Sequence, residues 1–370
     1  MNNSSLIIKV PGKLMIAGEY AVLSSGYPAI VKAVNRYMTI KISPYSKFIL
    51  SDSSPKLPKE TWMVNHKGYV IGLDIRKNPF MKMAITIVLK YLREKGVRIY
   101  AFQLEIHNGL NDIISGKKYG LGSSSAFVVG VISAILAYHG LEIEKEKLLI
   151  YKLSCIAHLK AQGNGSGADI AASVYGGWIC YYRYDAEWLT HKLYDTNLTL
   201  NDLISMPWPS LSINKISLPA SVSFIAGWTK HSVKTSPLVR KIEDFQMKNK
   251  KAYEVFLEQS KAAVLEFIRS CDLNDGEGIL QAIHKNRIAL QYLEDVTGLQ
   301  LEIKEIMELC RIAEKYGRAK FSGSGGGDCG IAFLIDEAKI ENLKQEWMKA
   351  GIIPLDLKSS NLGVTTFESE

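Results

Sequence analysis

Residues 126–138 are apolar throughout except for Gly130 and Ser133, a run long enough for a helix buried on all sides. Elsewhere the apolar positions are shorter and more strand-like. Residues 6–10 predict a strand closed by Pro11-Gly12, followed over 13–23 by a loop-like stretch of small residues. Residues 28–34 and 37–42 read as a pair of strands, 98–106 alternates as a third, and 179–184 is a tyrosine-rich fourth. Asn78-Pro79 supplies a cap and first-turn proline for a helix that Gly96 ends, and another helix is expected over about 144–160. Two stretches lack a period. Residues 43–72 are polar with Pro44, Pro55 and Pro58 and predict irregular loops or an exposed hairpin; 185–220, with Pro207, Pro209 and Pro219, shows no clear period, and the domain boundary is expected near its end.

The second half begins with a strand over 222–227. Helical patterns then fill 236–317, broken near Asp272 to Gly276 and at Thr297-Gly298. Residues 319–321 and 331–335 read as strands around a glycine-rich turn, and a last helix over 337–350 precedes a strand at 353–357. With 370 residues the chain can hold two cores, and the boundary is expected between residues 1–215 and 216–370.

Charge narrows the class of ligand. A net charge of +8 suits a protein that handles anions, but there is no dense basic block of the kind nucleic acid selects; Lys248-Asn249-Lys250-Lys251 reads as a solvated helix face. The five cysteines are scattered without a Cys-x-x-Cys pair, which argues against a disulfide framework or a zinc site and for a reducing compartment. No apolar run approaches the ~20 residues of a membrane span, and the first residues lack the pattern of a signal peptide. A cytoplasmic protein without membrane or nucleic-acid partners is expected.

Four segments could carry chemistry. Gly120-Leu121-Gly122-Ser123-Ser124-Ser125 precedes the apolar helix, so its N–H groups and the helix dipole could cradle a polyphosphate; the alternative is a serine N-cap. In residues 322–330, five glycines in nine exceed what a hairpin needs and suggest close approach to a ligand. The match of Gly325, Gly327 and Gly330 to a dinucleotide fingerprint is rejected, because a strand-like segment follows it rather than a helix. Lys13 lies among small and apolar neighbours expected to be buried and would need an anionic partner. Asp169 is a candidate for that role, or else a helix N-cap. No phosphate-loop or protein-kinase signature is present, and no histidine pair has metal-ligand spacing.

Together, residues 11–20, 120–125 and 322–330 resemble, in order and spacing, the three motifs of the GHMP small-molecule kinases (galactokinase, homoserine kinase, mevalonate kinase, phosphomevalonate kinase). Residues 18–23, 175–178, 227–229 and 327–330 look most like the bacterial phosphomevalonate kinase branch. The resemblance implies an α+β fold: an N-terminal domain like ribosomal protein S5 domain 2, and a C-terminal ferredoxin-like domain with added helices. It implies ATP and Mg2+ as cofactors, phosphomevalonate as the other small-molecule substrate, and a monomer or homodimer. Lys13 and Asp169 match the family's catalytic pair, Gly120, Leu121, Gly122, Ser123, Ser124 and Ser125 the ATP-phosphate loop, and Ser124 the hydroxyl that binds Mg2+. Substrate contacts are expected from Lys13, Tyr20, Lys118, Ser166, Ser236, Ser324, Gly325 and Gly326, with Ser236 better suited to cap the next helix. One departure is that His158 stands where mevalonate kinase has a magnesium-binding glutamate. A mevalonate kinase, or a GHMP-fold sensor that binds without turnover, remains as an alternative.

Overall fold

In the computed structural model the spine is one strand of 17 residues, β2 (Pro28–Pro44). The structure describes residues 4–52, 60–65, 70–73, 78–112, 115–231 and 235–368. Along one edge β2 pairs antiparallel with β1 (Leu6–Ala17); along the other it pairs first with β7 (Trp178–Tyr182), then with β6 (Phe102–Asn108). The two expected strands over 28–34 and 37–42 are therefore one. The sheet continues through β3 (Phe48–Asp52), parallel to β6, to β4 (Glu60–Val64) and β5 (Val70–Ile71); consecutive antiparallel strands there are the hairpin alternative for part of 43–72, not irregular loops. The rest of that stretch lies outside the described residues.

Against β1 and β2 lies α2 (Ser123–Tyr138), whose buried residues ring it completely, as its unbroken apolar sequence requires. Outside it pack α1 (Pro79–Glu94) and α3 (Lys147–Gln162), while α4 (Ala168–Tyr175) lies against β1. Residues 185–220, which show no clear period in sequence, hold regular elements. They form α5 (Ala186–Tyr194), α6 (Leu200–Ser205) and β8 (Ser212–Ile216). Both helices are short and rest on local caps, Asp185 accepting from the Trp188 N–H and Thr199 with Asp202 closing a capping box, rather than on a long apolar period.

The smaller sheet is built from β9 (Ser223–Trp228), β10 (Arg318–Phe321), β11 (Cys329–Leu334) and β12 (Ile353–Leu355), every pairing antiparallel, in the order β10-β11-β9-β12. With helices between β9 and β10 and between β11 and β12, this is the βαββαβ arrangement of a ferredoxin-like unit. Its helices are α7 (Thr235–Lys248), the antiparallel pair α8 (Lys250–Asp272) and α9 (Gly276–Thr297), α10 (Lys304–Ala313) and α11 (Ile340–Lys349). The chain then returns to the larger sheet, where β13 (Thr365–Glu368) pairs with β1. No helix among the described residues is long and apolar enough to cross a membrane.

The two sheets are joined by a buried ion pair. Lys320 of β10 and Glu19, just after β1, are 0% and 1% exposed, and the Lys320 ammonium donates to both the Glu19 carboxylate and the Phe321 carbonyl. Burial pulls the Lys320 pKa down and Glu19 pulls it back up. Lys320→Met strands a buried carboxylate and is expected to cost about 3–5 kcal/mol in urea unfolding. Adding Glu19→Gln should return part of that loss, because the uncompensated charge is gone.

Candidate active site

Lys13 sits on a strand, not in the expected loop. A proline has no N–H for the ladder, and β1 accommodates Pro11 with a register shift: Pro11 faces Tyr37, whereas Gly12 faces Val34. Pairing then resumes with Lys13 opposite Ala33. The Lys13 N–H points to the other edge, where it donates to the Leu121 carbonyl at 3.0 Å. The glycine-serine loop is thus stitched to the strand that carries the lysine. Gly122 has φ +75° and lies on the lysine stem; a Cβ there would come within 2.9 Å of Lys13 Cε.

Gly122 also precedes the first turn of α2 and makes no side-chain cap, so the serine-cap alternative does not hold. Ser123 and Ser124 are half-buried and Ser125 is buried. The Ser123 hydroxyl reaches Asn111 at 3.4 Å.

Asp169 is not a cap either. Gly167, at φ +81°, takes that place, and Asp169 lies in the first turn of α4. Its Oδ1 is 3.1 Å from Lys13 Nζ, with the lysine side chain 8% and the aspartate 34% exposed. An ammonium so far out of water needs its counter-ion, and the more open carboxylate keeps access to a ligand. One turn along, Ser173 donates to the Pro11 carbonyl at 3.0 Å, so the same face of α4 holds the bulge and the lysine.

The third segment closes the site. Ser322 donates to the Met15 carbonyl at 2.8 Å, and the Tyr20 hydroxyl donates to the Ser324 carbonyl at 2.5 Å. A Cβ on Gly120 would meet Asp328 Cβ at 2.6 Å, so this loop too depends on an absent side chain. These segments enclose a cleft of about 780 Å³, within the ordinary range for small-molecule sites.

Lys13, Tyr20, Lys118, residues 120–125, Ser166, Asp169 and Ser324 all line the cleft. Gly325 and Gly326 do not. The Gly326 N–H donates to the Leu301 carbonyl at 2.7 Å, and a Cβ on Gly325 would strike that carbonyl at 2.6 Å, so both serve packing against residue 301. Ser236 falls in the first turn of α7, which begins at Thr235; its side chain lies outside the described residues. Tyr20 commits its one proton to Ser324, which makes it a brace for the third segment.

Sequence reasoning did not find Phe80, Asp328 or Arg240, which also line the cleft. Arg240 is one helical turn beyond Ser236, a spacing that could have drawn it in. His158 lines the cleft as well, its ring tilted against that of Phe80 with the centroids 5.0 Å apart. Burial pushes its pKa down to about 4 although Asp169 pulls it upward, so the imidazole is neutral. Among the described residues no three His, Cys, Asp or Glu side chains gather as a metal site.

The family model for the GHMP kinases N terminal domain matches residues 80–177, and that for the GHMP kinases C terminal matches 265–353. A phosphomevalonate kinase of Streptomyces sp. (strain CL190) is 30% identical across 97% of this chain and 98% of its own. This chain is a GHMP kinase. Two solved structures share the whole architecture of this kinase. A Lin0012 protein from Listeria innocua has a TM-score of 0.90 with 36% identity over 99% of both chains. The Streptococcus pneumoniae phosphomevalonate kinase in complex with phosphomevalonate and AMPPNP has a TM-score of 0.83 with 26% identity, covering 95% of this chain and 99% of that one.

Three outcomes test this geometry. Gly122→Ala should displace the lysine stem and lower kcat/KM about 10²-fold, the scale of a misplaced reacting group, with circular dichroism unchanged. His158 should titrate near pH 4 by NMR instead of the ordinary 6.5. A pKa depressed by folding gives stability that is present above pH 6.5 and lost as pH falls through 4. His158→Gln should flatten unfolding stability in that window.

Proposed function

We propose that this GHMP kinase transfers the γ-phosphoryl group of ATP to the phosphate of (R)-5-phosphomevalonate, giving 5-diphosphomevalonate and ADP in the mevalonate route to isoprenoids. The observation that carries the mechanism is the Lys13–Asp169 pair, 3.1 Å apart beside the loop that begins α2. The nucleotide phosphates lie along residues 120–125, where first-turn N–H groups and the helix dipole favour negative charge. Lys118, exposed at the start of this loop, adds a cation.

Phosphoryl transfer asks the protein for positioning and charge neutralisation more than for covalent work. A phosphate monoester has its second pKa at about 6 and is largely dianionic near neutral pH. Its oxygen needs no strong base to attack; the barrier lies in bringing two anions together. Lys13 bridges donor and acceptor phosphates, and Asp169 orients the ammonium while its more exposed carboxylate faces the acceptor. Ser166 and Ser324 stand beside the acceptor, and the supporting observation is that both line the cleft.

Magnesium fits this donor set. Mg2+ is bound through one or two protein oxygens together with substrate phosphates and water. Ser124 and Asp169 would hold it, and His158, neutral and nitrogenous, contributes nothing to a hard cation. When bound, the ion neutralises charge on the donor phosphates. We also place the division of the chain near residue 216, between β8 and β9, and expect a cytoplasmic monomer or homodimer.

Coupled ADP release with phosphomevalonate and with mevalonate decides the substrate. Turnover on phosphomevalonate is expected; turnover on mevalonate alone would make this a mevalonate kinase, and none on either would leave a sensor. Lys13→Met should lose ~2.7 kcal/mol or more of transition-state stabilisation, the scale of one oxyanion donor. Wild-type turnover in that variant would remove the lysine from the mechanism.

A further inference from the structure

Against Gly167 at the N-terminus of α4, and not part of the cleft lining, lie two fully buried tyrosines, Tyr151 of α3 and Tyr181 of β7. Their hydroxyls are 2.7 Å apart, and the Tyr181 hydroxyl donates to the Ser166 carbonyl at 2.5 Å. That contact fixes the direction of the chain. A phenol has one proton; the one on Tyr181 goes to the carbonyl, so Tyr151 donates to Tyr181. Burial pushes both phenols well above 10, so neither loses its proton in the working pH range.

The segment they hold has little conformation of its own. Gly163, Gly165 and Gly167 have φ of +85°, +141° and +81°, which gives residues 163–167 unusual freedom in the unrestrained chain. A Cβ at Gly167 would come within 2.8 Å of each tyrosine oxygen, so the contact also needs that glycine. Ser166 then presents its hydroxyl in a defined way. Its Oγ accepts from the Ala168 N–H at 3.2 Å, which uses a lone pair and leaves the hydroxyl proton to donate. Ser166 lines the cleft, and a donor there matches an anionic oxygen.

We propose that Tyr181, supported by Tyr151, is a positioning residue for the acceptor: by holding the Ser166 carbonyl it aims the Ser166 hydroxyl at the acceptor's phosphate. The inference rests on the phosphate-acceptor reading of the cleft. Two phenylalanines would fill the same space, so the hydroxyls supply direction and not packing, and a buried hydroxyl is costly unless it is bonded.

The test is steady-state kinetics with ATP and phosphomevalonate varied separately, on wild type, Tyr181→Phe, Tyr151→Phe, Ser166→Ala and the Tyr181→Phe/Ser166→Ala double variant. Tyr181→Phe should raise the KM for phosphomevalonate about tenfold, the scale of one hydrogen bond, with the KM for ATP within about twofold. Tyr151→Phe should do the same by a smaller factor. In the double variant the acceptor KM should equal that of Ser166→Ala alone, because the tyrosine acts through the serine. Parallel rises in both KM values, a fall in kcat alone, or multiplying effects of Tyr181→Phe and Ser166→Ala would overturn the proposal. If Tyr181→Phe does not fold, Tyr151→Phe read by the same criteria decides. Wild type without activity on phosphomevalonate defeats the substrate reading and this inference with it; active wild type with a kinetically silent Tyr181→Phe defeats this inference alone.

Discussion

Between the strand that carries Lys13 and the loop that opens α2 there is no space for a side chain, and the active site depends on that contact. The backbone bond from Lys13 to Leu121 brings the loop to the strand edge, and Gly122 lets the lysine stem lie flat against it. Gly120 does the same for Asp328 on the third segment. With its stem enclosed, the ammonium has lost most of its water, and Asp169 becomes the group that makes its charge tolerable. The close approach of three backbones therefore produces the desolvated cation; the cation is not simply placed in a pre-existing cleft.

Holding the third segment there takes contacts that cross between the sheets. Ser322 to Met15, Tyr20 to Ser324 and Lys320 to Glu19 all join residues near the end of β1 to the β10–β11 region. Tyr20 pays for its reach with φ +60°, a conformation that costs of the order of 1–3 kcal/mol in a residue with a side chain. A buried ion pair is a weak source of net stability, yet an alternative register between the sheets would leave both charges unpaired. Strain at one residue and a charge pair at the next give the two sheets a single relative position.

The motifs were legible in the sequence because each needs residue types that packing alone would not select, such as clustered glycines beside hydroxyls, or a lysine among apolar neighbours. Their elements were less so. Pro11-Gly12 reads as a strand terminator, but a register shift absorbs it and β1 runs on to Ala17. That single difference moves Lys13 from loop to strand. The interval 185–220 hid two helices because caps, not periodicity, define them. Gly325 and Gly326 looked like part of the ligand cradle, and only the position of Leu301, more than twenty residues earlier in a loop with no motif, shows what they pack against. β13 is four residues long and gains its stability from the edge of β1, which no local pattern reveals.

The electrostatics of the cleft favour an acceptor that arrives already ionised. A general base for an alcohol works best with a pKa near the operating pH, usually raised by burial away from cations. Asp169 is engaged by the Lys13 ammonium at 3.1 Å, so its carboxylate serves first as the counter-ion of the lysine. The other candidate, His158, is neutral, but a pKa pushed down to about 4 makes it too weak to take a proton from an alcohol near neutral pH. What the cleft does offer is cations and hydrogen-bond donors: Lys13, Lys118, Arg240 and the first turn of α2. Such a site lowers the repulsion between two phosphates and does little to create a nucleophile, which is the division of labour that transfer from one phosphate to another requires.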